Sequence, residues 1–185
     1  MVIVFSILVA VSFLIIWGIS VYNRLVKLKN LRTEGWSTID VFLKKRYDLV
    51  PSLVETVKGY AAHEKETFEN VALARSRAMG AKDMASRAES ENALGNVLGQ
   101  LIVVAEKYPE LRANENFMYL QKELSRLEDE LARTRRYYNG TVRENNIAIE
   151  TFPSNLVANM FRFTKGEFYE AGESERVVPQ TSMNE

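Results

Sequence analysis

The stretch KKRYDLVPSLVETVKGYAAHEKE, Lys44–Glu66, decides how the chain is built. Val50, Leu53 and Val57 recur at helical spacing and continue the phase of Ile39 and Leu43 upstream. Pro51 interrupts this run. A proline inside a helix removes one backbone hydrogen bond, costs about 3 kcal/mol or more, and disfavours helical geometry at the residue before it, here Val50. Two solutions exist. Either one helix kinks and runs on, or it stops and a second begins with Asp48 as N-cap and Pro51 in its first turn, where the missing N–H does no harm. The unbroken apolar phase favours the continuous helix.

The same stretch carries the single histidine of the chain, His63, beside Glu64. That pair opens a zinc-protease signature, which needs a second histidine at position 67, and Thr67 stands there. Ser52 lies about 16 Å from His63 along one helix, too far to act as nucleophile and base. His63 is therefore expected at a surface or a subunit contact. There is no cysteine, which excludes disulfides, thiolate catalysis and cysteine–zinc sites. Zinc and di-iron centres normally draw several imidazoles, and no glycine-rich phosphate loop is present. No catalytic site, metal or cofactor is expected. Basic and acidic residues balance at 24 each, so no global field recruits nucleic acid.

Upstream, MVIVFSILVAVSFLIIWGISVY, Met1–Tyr22, has no charged side chain. As a helix it spans about 30 Å, the hydrocarbon thickness of a bilayer. Trp17 and Tyr22 lie near its end, where amphipathic rings favour the interface. Arg24, Lys27, Lys29 and Arg32 follow before the first acid, Glu34. The basic flank predicts a single-pass membrane protein, N-terminus out and soluble part cytoplasmic. These four residues either set topology alone or also bind anionic lipid heads.

Downstream, helical periodicity covers most of the chain and no strand alternation occurs. A first pattern runs from about Tyr22 to Ala78, a second from about Met84 to Glu106, and a third from about Glu115 to Thr151. KYPELRAN is expected to be a loop, with Asn114 capping the third helix. Pro153 stops that helix, and a short amphipathic helix follows with Ser154 as candidate N-cap. The predicted fold is all-α: a transmembrane helix over 1–22, then an elongated antiparallel bundle over 23–163 of three long helices and a short fourth. Residues 164–185 form a polar, largely disordered tail, with disorder expected from Gly172 onward.

Phase sorts the charges. Arg46, Glu64 and Arg75 fall on the core-facing line of the first pattern, and Arg135 on that of the third. Inward charges are seldom buried unpaired. Glu64 and Arg135 are therefore a candidate core ion pair, against the alternative that these side chains snorkel outward. In LVANMFRFTKGEFY, the residues Leu156, Val157, Met160, Phe161 and Phe163 are open to three roles: covering the bundle end, lying in a membrane interface, or meeting another subunit.

Two blocks are long enough to carry a resemblance: YNRLVKLKNLRTEGWSTIDVFLKKRYDLVPSLVETVKGYAAHEKE and ANENFMYLQKELSRLEDELARTRRYYNGTVRENNIAIETFPSNLVANMFRF. Together with the single N-terminal apolar span, they strongly resemble the LemA family. The resemblance implies a bacterial protein with one transmembrane helix and a helical-bundle domain. It also implies kinship with proteins of magnetosome membranes, and no established activity or cofactor. The function expected is a non-enzymatic, membrane-anchored scaffold or interaction protein. Its expected partners are the lipid bilayer, further copies of itself, and unidentified membrane or cytoplasmic proteins. The alternatives are a carboxylate metal enzyme or subunit drawing on Asp40, Asp48, Glu55 or the acids around Glu128, and an adaptor or sensor for a membrane protease or signalling partner.

Overall fold

The structure, a computed structural model, describes residues 1–169. These are all-α, with no strand among them. The helices are α1 (Val2–Lys58), α2 (Lys65–Gly80), α3 (Met84–Glu106), α4 (Pro109–Arg112), α5 (Glu115–Glu150) and α6 (Ser154–Met160).

α1 runs without a break through Pro51, so the continuous solution holds and Asp48 caps nothing. The break comes later. The pattern drawn to Ala78 is two helices, because α1 ends at Lys58 and α2 starts at Lys65. Helical bonding tapers at this point: Gly59 N–H donates to the Glu55 carbonyl, and both Tyr60 and Ala61 donate to Val57. Ala61 is buried by the turn while Tyr60 is exposed, which separates two residues that a straight helix would place on one stripe. The expected loop KYPELRAN holds one helical turn, α4. Pro109 stands at its start, where a missing N–H is harmless, and Leu111 is buried beneath it.

The ends of α5 are tied by side chains. Asn114 Oδ1 accepts the Phe117 N–H at 3.0 Å, the predicted N-cap. The helix ends at Glu150, three residues before Pro153. Ser154 does not cap α6. Its hydroxyl instead points back to the carbonyls of Ala148 and Thr151, at 2.7 and 2.8 Å, giving a donor to Ala148 near the end of α5 and sharing Thr151 with the Asn155 N–H.

The chain forms two compact units. The first contains Met1–Ile39 and Arg133–Phe168. Within it α1 and α5 run antiparallel: Leu25 and Leu28 pack with Ala148 and Ile149, while Gly35 meets Tyr137 and Tyr138. A methyl at Gly35 would stand 3.4 Å from both the Tyr137 ring and the Tyr138 backbone, so the helices approach closely there. Val157 and Ala158 of α6 close the Leu25 cluster, with Trp17, Val21 and Phe163 against it. The start of the polar tail is fastened here. Asn146 clamps the Gly166 peptide from both sides, at 2.8 and 3.0 Å, and the Tyr138 hydroxyl donates to the Glu167 carbonyl at 2.9 Å. The segment from Gly172 onward lies outside the described residues.

The second unit contains Asp40–Ala132 and Tyr169. The lower part of α1 buries Leu43, Val50, Leu53 and Val57; α3 buries Leu94, Leu98 and Leu101; the first half of α5 buries Phe117, Leu124, Leu127 and Leu131. α3 begins at Asp83, whose carboxylate accepts the Ser86 N–H at 2.8 Å. That cap and the bond from the Ser86 hydroxyl hold the Asp83 carboxyl below its ordinary value.

Candidate functional site

Among the described residues, the densest charged constellation with a buried centre lies in the second unit. Arg46, on the inward line of α1, is 2% exposed, and Glu91 of α3 is 1% exposed. Arg46 Nη1 stands 3.0 Å from Glu91 Oε2, and the Tyr47 hydroxyl donates to the other oxygen of the same carboxylate. Arg46 Nε lies 2.8 Å from Glu128 Oε1, a charge contact off the hydrogen-bonding line. Gly95 makes the room, since a methyl there would stand 3.3 Å from Arg46 Nη2. Burial first, then the bond to Glu91 and its charge, push the Tyr47 phenol far above its usual value. The phenol therefore stays protonated and keeps donating. Glu91 had a readable signal: it sits three residues before Leu94 and seven before Leu98, on the apolar stripe of α3.

One helical turn away, Pro51 has a structural answer. The N–H that would bond the Tyr47 carbonyl belongs to position 51, and proline has none. Arg75 of α2 supplies the donor instead, its Nε 2.7 Å from that carbonyl. The inward phase of Arg75 thus ends on a backbone acceptor that the proline leaves free.

Other candidate residues are scattered. Glu64 is half-buried just ahead of α2 in the second unit, and Arg135 half-buried on α5 in the first, so neither unit brings this pair together. His63 is exposed in the turn before α2. Asp40 pairs with Arg87, while Asp48 and Glu55 are exposed on α1. Among the described residues no three metal-ligating side chains gather in one place.

In the first unit a basic and aromatic face surrounds the end of the apolar span. The apolar side chains from Val2 to Ile16 are exposed, with no protein packed on them. At Trp17 and Val21 the helix starts to join the Leu25 cluster. The Tyr22 ring lies 4.7 Å from that of Phe161 and 5.8 Å from that of Phe163. Arg24, Lys27 and Lys29 are exposed; Arg32 is half-buried and donates to the Thr164 carbonyl at 3.4 Å. Of the ambiguous apolar set, Val157 and Phe163 turn inward, whereas Leu156, Met160 and Phe161 remain exposed.

Residues 35–183 match the LemA family profile. The chain belongs to the LemA family. It is 29% identical to Protein LemA of Metamycoplasma hominis, over 86% of this chain and 74% of that protein. It is 24% identical to Magnetosome protein MamQ 2 of Paramagnetospirillum magneticum, over 86% of this chain and 69% of that one. A MamQ of Magnetospirillum gryphiswaldense is 22% identical over the same shares. The LemA match covers most of both units but begins after the span, which rests on its own composition. Among the described residues of this LemA-family chain, one helix is long and apolar enough to cross a membrane, and it is α1.

Proposed function

We propose that this LemA-family protein is a membrane-anchored interaction scaffold that holds a helical bundle at a bilayer, associates with itself, and engages partner proteins there. The observation that carries the reading is the exposed apolar run from Val2 to Ile16, continuous with a helix that enters a packed core at Trp17. A run of this hydropathy left bare in water is a liability, and inside a bilayer it is satisfied. The four cations that follow the span favour the bundle in the cytoplasm and the N-terminus outside. The charged centre around Arg46 is closed and paired, which suits a device for fixing helix register better than one for chemistry. Relatives named as magnetosome proteins support a place in membrane organisation.

Two measurements test this. Full-length protein should stay in the membrane pellet on alkaline extraction, and a chain lacking residues 1–22 should leave it; release of the full-length protein refutes anchoring. Light scattering of full-length protein in detergent should report more than one copy per particle. A monomer there removes the self-association part.

A further inference from the structure

α6 is too short to be held by its own backbone bonding. Its inner side is Val157 and Ala158, packed on Leu25 and Leu28. Its outer side, with its flanks, presents Phe152, Leu156, Met160 and Phe161, each more than half exposed and Met160 77% exposed. Four large apolar residues bare within ten positions form a patch of the kind that marks a binding or membrane surface. The tilted ring contact of Phe161 with Tyr22 sets the place of this patch along α1: it lies where the apolar span ends, two residues before Arg24.

Behind Phe161 lies a cleft of about 350 Å³. Its cations are Lys29, Arg32 and Arg162, its buried polar wall is Asn145, and no acidic side chain among the described residues lines it. Two details keep it cationic. Arg32 crosses so close to Gly166 that a methyl there would stand 2.6 Å from its Nη1, so glycine lets the guanidinium pass. Arg162 has φ 56, in the left-handed region. The Phe163 N–H donates to the Ala158 carbonyl and the Arg162 N–H to the Asn159 carbonyl, a helix-ending motif whose left-handed position usually falls to glycine. An arginine there sacrifices backbone ease for a positive side chain in the cleft.

We propose that this face is a binding site for an anionic phospholipid of the bilayer that the span crosses. Its phosphate lies among Lys29, Arg32 and Arg162, and its acyl region meets Leu156, Met160 and Phe161. The inference rests on the anchoring read above and adds a ligand to it. Continuity with the span selects a bilayer as the occupant of the apolar patch, and the charge of the cleft selects an anionic lipid.

The test uses full-length protein in nanodiscs of phosphatidylcholine, with and without phosphatidylglycerol. Phosphatidylglycerol should raise the thermal midpoint of the wild type. R162G relieves the left-handed strain and should be at least as stable as the wild type in phosphatidylcholine, yet bind phosphatidylglycerol roughly fivefold more weakly. K29A should weaken it by a similar factor. Equal midpoints in the two lipids, or an unchanged increment in R162G and K29A, overturn the site. Inorganic phosphate reproducing the increment in phosphatidylcholine discs overturns the lipid assignment. The chain lacks cysteine, so a fluorophore on M160C reports depth: brominated lipid should quench it, and should not quench one on E34C, about 18 Å beyond Tyr22 along α1. Equal quenching overturns the patch. Failure of the wild type to enter nanodiscs at all overturns the anchoring as well, whereas entry without phosphatidylglycerol preference overturns this site alone.

Discussion

Pro51 removes one donor from α1, and Arg75 replaces it from another helix, so the two residues are energetically coupled. Removing Arg75 leaves the Tyr47 carbonyl without its charged donor, which costs about 1–3 kcal/mol. In a P51A background, position 51 again has an N–H for that carbonyl, and the loss should shrink. A double-mutant cycle on the thermal midpoint of full-length protein measures this, and additive effects would show that Arg75 acts elsewhere. The neighbouring pair behaves differently. Arg46→Met alone takes the guanidinium away from the buried Glu91 carboxylate and should cost about 3–5 kcal/mol, while R46M/E91L should recover much of that loss. Tyr47 adds a pH dependence. Its folded pKa is raised, while the unfolded phenol ionises near its ordinary value of about 10. Stability from this group is therefore complete below about pH 10 and is lost as pH rises above it, because only the unfolded state then releases the proton. Y47F should flatten the alkaline fall in thermal midpoint relative to the wild type.

The helices differ in how openly the sequence announces them. α5 has apolar steps of three and four, a capping Asn114 and a proline beyond its end, and it lies where those signals place it. The end of α1 carries a weaker mark, Lys58 in its last turn and Gly59 just beyond. No proline stands there, Gly59 has no left-handed φ, and Ala61 falls in phase with the stripe although it is reached through a turn. Beyond it α2 returns so that Arg75 meets the Tyr47 carbonyl, and periodicity is blind to such a tertiary contact. The charged centre was half legible. The phase of Arg46 pointed inward, but its partners Glu91 and Glu128 lie 45 and 82 residues away, and only packing brings them together. Asp83 illustrates a small signal that is easy to pass over, an aspartate three residues before Ser86 at a helix start. Because its folded pKa is lowered, the cap is intact above the ordinary aspartate pKa and lost as pH falls through the folded value. D83A should therefore speed amide exchange at Ala85–Arg87 at neutral pH. In the wild type the same amides should lose protection only in acid; equal exchange in the two proteins at neutral pH would mean that the cap does not hold α3.

At the scale of the molecule, α1 belongs to both the membrane reading and the core, and this bears on where the chain can be cut. Trp17 and Val21 lie within the apolar run yet pack on Leu25 and Leu28, so a fragment starting at Leu25 loses part of the first unit's core. The same continuity sharpens the topology prediction. The whole chain is neutral, with 24 charges of each sign, so overall charge cannot orient it. The local asymmetry can, because cations flanking a span within about 15–20 residues resist translocation. Arg24, Lys27, Lys29 and Arg32 all fall within that distance of Tyr22. Ser76 and Lys122 are exposed positions on α2 and α5, and a cysteine at either is the only thiol in the chain. In cells with a permeable outer layer, S76C and K122C should resist a membrane-impermeant maleimide until the cytoplasmic membrane is opened. Labelling of both in sealed cells would place the bundle outside. Neutralising all four flanking cations in the same variants should then produce a mixed population, since the charge asymmetry that orients the span is removed.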